Sequence, residues 1–349
     1  MKGKRKQAAA VIVASVLAVA MGACSLGKKN PETALAEPEL LPVDSLSVEQ
    51  IIRPHRFLPA GERMVVQTLE DTVFYVYELP DFSFVGTFGR RGSGPDEFTG
   101  FSCYPTGIPG VFSVRTYRGG IPTVELYRAG NDGVKRSGTM RDRGFDPNYG
   151  MAYAVINDSL LAAAFIGPSG RHVLRLIDTR TGAVLDTLAH FYQYTVPFAG
   201  RNNITRNTAQ IAVCGQRMAV AYQETRTLDF YRIGQNRFFH EVSAGVEKSP
   251  SVDALVSDPR RSPLVYVAVF AGEKYVYAVD ARTDVPTLQE GGQPDVVIEV
   301  YAWNGRKAGS YRFSRKGLVP VGVDESRRMV YAVDPRQDFE FIYTCALPL

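Results

Sequence analysis

The sequence predicts an all-β fold, a six-bladed β-propeller, from the texture of its apolar runs and the interval at which they recur. Beyond residue 50 there is no sustained 3.6-residue periodicity. Short runs rich in β-branched and aromatic residues recur instead, among them RMVVQ, TVFYVYEL, TVELYRAG, HVLRLID, RMAVAYQ, KYVYAVD and RMVYAVD, each bounded by Gly, Pro, Asn or Asp. Their length and punctuation are those of strands. Tyr77, Leu126, Ile177 and Phe230 occupy comparable places and fall 49, 51 and 53 residues apart; the next steps, to Tyr301 and Ile342, are 71 and 41. Units of about 50 residues and four strands are propeller blades, because a small sheet must bury both faces against neighbours. About 300 residues at that period make six; seven blades would be unusually short, and a β-sandwich leaves the repeat unexplained.

The strand pairs follow from local turn chemistry. FYVYELPDFSFVGTFG turns at Pro80-Asp81, VLRLIDTRTGAVLDTLAH turns between Asp178 and Gly182, and VIEVYAWNGRKAGSYRF turns at Asn304-Gly305, where both residues accept positive φ. The long 71-residue step predicts an insertion of about twenty residues in the fifth unit, with the apolar-poor ARTDVPTLQEGGQPD, 281–295, as its loop. A closed ring also requires the last strand, 339–347, to be completed from elsewhere. An early segment around 43–52 is the candidate, giving a blade of mixed origin that hides sheet edges.

The first residues carry a different signal. Lys2, Lys4, Arg5 and Lys6 precede an apolar run from Ala8 to Ala20, followed by Met21-Gly22-Ala23-Cys24. Thirteen apolar residues suit a secretory signal and fall short of the roughly 20 a bilayer-spanning helix needs. The quartet resembles the lipobox of bacterial lipoproteins, which implies acylation of Cys24 as the first mature residue. The expected organisation is a lipoprotein signal peptide at 1–23, a lipidated tether at 24–40, and the propeller at 41–349. The chain's net charge of +4 equals the four cations of the leader, which has no acidic residue, so the mature side chains balance. Nucleic-acid binding loses its electrostatic basis. Cys103, Cys214 and Cys345 form no disulfide framework, although one bridge among them is open.

GRRGSGPDEF, 89–98, resembles the Gly-Arg-x-Gly-x-Gly-Pro-x-Glu-Phe junction after the first blade of TolB-like six-bladed propeller lipoproteins of Bacteroidetes. YVAVFAGEKY with VIEVYAWNGRKAGSYRF resembles their fifth blade, and VDESRRMVYAVDPRQDFEFIYTCAL their last. Ala302 stands where those proteins more often have an acid before the Trp, which weakens any role for an acid there. The resemblance covers roughly 41–349 and implies architecture far more than ligand.

Candidate functional residues are few. The 89–98 segment lacks the Lys-Ser/Thr of a phosphate loop. It reads first as an interblade connection, with Arg90, Arg91, Asp96 and Glu97 as candidate binding residues; RDRGFDPNYG, 141–150, echoes its turn chemistry. HFYQYTVPF, 190–198, reads as an aromatic loop that would present Tyr192 and Tyr194, bordered by the basic loops RGGI and RNNITR, and Trp303 is a further candidate. There is no HExxH and no CxxC, and His55, His172, His190 and His240 are dispersed. Thus no metal, cofactor or catalytic residue is assigned. Paired carboxylates such as Asp96, Glu97, Asp146 and Asp253 are the enzyme alternative, a glycoside hydrolase or lyase. The expectation is a monomeric, lipid-anchored propeller of the bacterial cell envelope, at the outer membrane, serving as a non-catalytic scaffold for a protein partner. A glycan- or peptide-binding module is the second reading.

Overall fold

The computed structural model describes residues 37–349 except 49, 51–52, 95–96, 131, 142–149, 167–171, 189–193, 199–200, 207, 246–262, 285–286, 288–289, 291 and 337–340. Its compact unit is Pro38–Leu349, and residues before Glu37 lie outside the described set, Cys24 among them. No helix among the described residues is long and apolar enough to cross a membrane.

Two short strands come first, β1 (Glu39–Leu41) and β2 (Asp44–Ser47). Blade 1 is β3 (Pro54–Ala60), β4 (Arg63–Thr68), β5 (Thr72–Glu78) and β6 (Ser83–Arg91), with the two-residue β7 (Glu97–Phe98) parallel to the end of β6. Blade 2 is β8 (Ser102–Pro105), β9 (Val111–Arg118), β10 (Ile121–Gly130) and β11 (Gly133–Arg141). Blade 3 is β12 (Gly150–Val155), β13 (Leu160–Ile166), β14 (His172–Asp178) and β15 (Val184–Leu188). A hairpin that joins no blade, β16 (Tyr194–Phe198) with β17 (Arg201–Arg206), precedes blade 4, formed by β18 (Ala209–Cys214), β19 (Arg217–Tyr222), β20 (Leu228–Gly234) and β21 (Arg237–Ala244). Blade 5 is β22 (Pro263–Ala271), β23 (Tyr275–Asp284), β24 (Val297–Ala302) and β25 (Lys307–Phe313). Blade 6 is β26 (Val319–Asp324), β27 (Met329–Val333) and β28 (Phe341–Ala346).

Blade 6 obtains its fourth strand from β2, which pairs antiparallel with β28 from Asp44↔Thr344 to Ser47↔Phe341. The expected closure by an early segment is therefore present. β1 adds a second tie, lying parallel along β25 with Leu41 opposite Phe313. The stacking of neighbours is visible in the core, which divides into six apolar clusters, one at each blade interface. The cluster holding Phe57, Tyr77, Val321, Tyr331 and Ile342 joins blade 6 to blade 1 and completes the ring. Phe57 and Tyr331 stack there with centroids 6.2 Å apart. Each fully buried aromatic or branched side chain contributes about 1.5–3 kcal/mol.

The sequence intervals coincide with the third strand of every blade, since Tyr77, Leu126, Ile177, Phe230, Tyr301 and Ile342 lie in β5, β10, β14, β20, β24 and β28. The extra length before Tyr301 differs from the expectation. It is shared between the β21–β22 connection, 245–262, and the β23–β24 connection, 285–296, rather than held in one loop. RNNITR, expected as a loop, is strand β17.

In a four-stranded meander the connections alternate between the two ends of the sheet. Those between first and second or third and fourth strands are short throughout, none exceeding the five residues of 106–110 and 179–183. The opposite face carries every longer one, including 92–101, 142–149, 189–208, 245–262, 285–296 and 334–340.

Candidate functional site

The blade 1–blade 2 connection lies on the long-connection face, and its glycines are fixed by sterics. Gly89 has φ +70°, and a Cβ there would enter the Phe98 ring; Gly92 has φ +157°, and a Cβ there would meet the Glu97 carboxylate. Phe98 is buried beside Phe74 with their rings at 86°. Glu97 folds back so that its Oε2 accepts from the Gly94 N–H at 2.9 Å. Arg91 donates to the Leu69 carbonyl at 2.9 Å and lies 5.6 Å from the Phe101 ring centre, while Arg90 is exposed opposite Glu97 in the β6–β7 register. Asp96 lies outside the described residues. Arg90, Arg91 and Glu97 are thus gathered at one connector, most of whose polar groups are engaged within it. Gly89→Ala should cost about 2 kcal/mol or more through positive φ and overpacking. Urea denaturation of G89A, F98A and the double variant checks this: the two penalties should be clearly less than additive, and simple additivity would exclude the ring contact as the cause.

The other sequence candidates are not brought to this connector. Tyr192 lies outside the described residues, and Tyr194 opens β16. Trp303 is at the β24–β25 turn on the short-turn face. It is 8% exposed, its Nε1 donates to the Gly272 carbonyl at 3.1 Å, and Arg217 covers its ring at 4.8 Å. Its ring is enclosed there because the turn packs against blade 4 through Phe230.

A feature missed in the sequence recurs in three third strands: a buried acid, any residue, then Tyr. These are Glu125-Leu126-Tyr127, Asp229-Phe230-Tyr231 and Glu299-Val300-Tyr301. Each Tyr is followed on the fourth strand by a cation or imidazole directly opposite, Arg136, His240 and Lys307, at a register shift beside the Tyr. Glu125 accepts from Arg118 Nη2 at 2.8 Å, Tyr127 at 2.7 Å and Arg136 at 3.2 Å. Burial works to raise its pKa, and these donors more than reverse that. Asp229 accepts from Tyr222 at 3.0 Å and Ser243 at 2.6 Å. Glu299 accepts from Lys307 at 2.7 Å, Tyr266 at 2.8 Å, and both Arg226 and Tyr301 at 3.0 Å. Its signal in the sequence is the triplet ELY, DFY, EVY, each at the strand position that sets the blade period.

Asp280, also buried, shares Arg226 with Glu299. Burial against the partial offset of Arg226 leaves Asp280 above its ordinary value, while Glu299, with its four donors, is drawn down to about 2. Both carboxylates therefore act as cross-links between blades 4 and 5. Of the acids offered for catalysis, Asp96, Asp146 and Asp253 lie outside the described residues. Among the described residues no group of three or more His, Cys, Asp or Glu could hold a metal ion. Cys103, Cys214 and Cys345 are free thiols, and burial pushes Cys103 and Cys345 up to about 12.

No protein-family model matches the chain, and no curated protein matches it. Solved structures do. A putative exported protein from Bacteroides fragilis is 11% identical with a TM-score of 0.50, covering 91% of this chain and 98% of that one. The Swd1 β-propeller domain of Myceliophteria thermophila is 12% identical with a TM-score of 0.47, covering 87% and 99%. The WD40 domain of Toxoplasma gondii coronin is 7% identical with a TM-score of 0.43, covering 89% and 78%. At such identities the likeness concerns fold alone. Blade count and ring closure define the class of protein, a six-bladed β-propeller.

Proposed function

We propose that the protein is a lipid-anchored propeller of the bacterial cell envelope, allied to the TolB-like lipoproteins of Bacteroidetes, and acts by binding a protein partner rather than by catalysis. The observation that carries the binding reading is the asymmetry of its connections. One face is trimmed to turns of at most five residues, and the other holds all the longer segments. Loops on a rigid scaffold are the usual place for recognition, and a scaffold that keeps them ordered limits the entropy lost on association. Ile121, 60% exposed, and Leu69, 49% exposed, add apolar surface at turns on that face. The buried acids, each tied to cations or hydroxyls, are committed to internal networks, within blades 2 and 4 and between blades 4 and 5. The lipobox-like Met21-Gly22-Ala23-Cys24 supports the anchor, and the similar Bacteroides fragilis structure, that of a putative exported protein, is in keeping with export.

The two halves of the proposal separate experimentally. Cys24→Ala should abolish fatty-acid labelling of the full chain and leave its β-rich circular dichroism unchanged; continued labelling would reject the anchor. A photo-crosslinking residue at Ile121 should yield a discrete adduct in intact cells, whereas one at Gln235 on the short-turn face should yield none. Equal adducts from both sites, or none from either, would reject the long-connection face as the binding surface.

A further inference from the structure

Near the ring axis there is a cation that the interblade networks do not use. Arg56 is on β3 and Tyr104 on β8, the innermost strands of blades 1 and 2. Arg56 Nη1 donates to the Cys103 carbonyl at 2.6 Å, and its guanidinium lies 4.3 Å from the Tyr104 ring centre. The two contacts fix the plane of a half-buried guanidinium, and among the described residues no hydrogen-bond partner takes its Nε or Nη2. Among the described residues no carboxylate forms an ion pair with it, in contrast to Arg118, Arg226, Arg327 and Arg336. Charges withdrawn from water are ordinarily paired.

The surroundings suit an anion. Tyr104 also packs edge-on against Tyr153 at 4.4 Å, and the Cys103 thiol donates to Gln67 at 2.6 Å, so the groups next to the guanidinium are neutral. The described residues of the six innermost strands include a single acid, Asp324, at the far end of β26 and bound by Arg327. Half-exposed Leu264 and Val319 stand near the same end as Arg56 on the innermost strands of blades 5 and 6. At the other end the 106–110 turn of blade 2 reaches blades 3 and 4. Gly107 donates to the Val155 carbonyl at 2.8 Å and accepts from the Gly215 N–H at 3.3 Å, where a Cβ would be 2.5 Å from the Ile156 oxygen. That turn narrows the axis at the short-turn face, so approach is from the long-connection face.

We propose that Arg56 is the recognition group of an axial site for the carboxylate of a small organic acid with an apolar body. The site lies on the ring axis and opens on the same face as the longer connections. The free Nε–Nη2 edge presents two parallel N–H groups to the two carboxylate oxygens, a geometry a lysine cannot reproduce. Tyr104 stacking holds that edge in place, and the apolar innermost strands receive the rest of the ligand. His55, adjoining Arg56, responds to the same charge: burial and then Arg56 hold its pKa below the ordinary value. A bound carboxylate would oppose the Arg56 charge and raise it.

Titration calorimetry with benzoate, and with benzamide as its uncharged isostere, tests the assignment on the purified protein. Benzoate should bind at one site per chain and at least tenfold more tightly than benzamide. Arg56→Gln should remove that preference and Arg56→Lys should restore little of it. The His55 ring signals, assigned by comparison with H55Q, should titrate at higher pH when benzoate is bound. Equal affinities for the two probes, no binding of benzoate, or an R56Q protein that keeps the preference would each overturn the site. Should R56Q fail to fold, the wild-type comparison and the His55 titration still decide, and an unmoved His55 rejects the proposal.

Discussion

Deleting residues 1–48 should largely abolish cooperative folding, whereas deleting residues 1–37 should leave the melting temperature unchanged. The difference between the two variants is only β1, β2 and the residues around them. β2 is the outer strand of blade 6, and without it β28 becomes a free sheet edge. Leu41 and Val48, 2% and 4% exposed, leave two interblade clusters at the same time. Those two side chains alone represent roughly 3–6 kcal/mol. Domain stabilities are about 5–15 kcal/mol, so this loss, with the strand's hydrogen bonds, consumes most of it. Circular dichroism melting and size-exclusion chromatography read the outcome. A peptide spanning residues 38–48, added in trans, should restore part of the transition. If both truncations melt within about 2 °C of each other, the ring is not closed by these strands.

Why the closure and blade count were legible, while much of the rest was not, can be argued from single residues. The third strand of each blade is flanked by strands on both sides and stacked on both faces, so Tyr77, Leu126, Ile177, Phe230, Tyr301 and Ile342 are all buried. Their spacing survives differences in loop length because the sheet cannot dispense with them. Sequence alternation does not say which neighbouring blade a side chain meets. Trp303, beside an Asn-Gly turn, reads as a binding candidate, and the sequence does not show that blade 5's own Gly272 and blade 4's Arg217 and Phe230 surround it. The 89–98 motif carries polar residues typical of a ligand loop, yet its glycines answer to Phe98 and Glu97 inside the same segment. Arg56 gave no sequence signal, because its missing counter-charge depends on what five other strands bring to the axis.

The acid-x-Tyr triplets show a second level of repeat, laid over the hydrophobic one; it ties the third strand to its own blade in blades 2 and 4 and also reaches Arg226 of blade 4 from blade 5. Blades 2 and 5 place a permanent cation opposite the Tyr, Arg136 and Lys307, whereas blade 4 places His240, whose Nε2 is 2.9 Å from Ser243 Oγ. Blades 1 and 3 keep the register shift at the corresponding place, beside Tyr77 and Ile177, but have Tyr75 and Arg175 where the acid would stand. The backbone irregularity is therefore the element common to blades 1–5, and the ionic group is an addition in three of them.

Glu299→Gln should destabilise the protein by about 3–5 kcal/mol, the range for removing one partner of a buried ion network. The amide retains bulk and some hydrogen bonding but leaves Arg226 and Lys307 without the charge they share. Glu62→Gln, which breaks the exposed Arg327–Glu62 pair, should cost less than about 1 kcal/mol and serves as the contrast. The pH dependence distinguishes an electrostatic loss from a packing loss. Glu299 has a folded pKa of about 2, below the ordinary glutamate value of 4.5. The unfolded chain then takes up the proton first on acidification, so the Glu299 contribution is complete above about pH 4.5 and is lost as pH falls toward 2. Asp280 is shifted the other way, its folded form holding a proton more readily, and so it offsets part of that loss instead of adding to it. Urea midpoints measured from pH 7 down to pH 3 should fall for wild type and fall less steeply for E299Q, drawing the two curves together in acid. Parallel curves across that range would show that the Glu299 charge is not what holds blade 4 to blade 5.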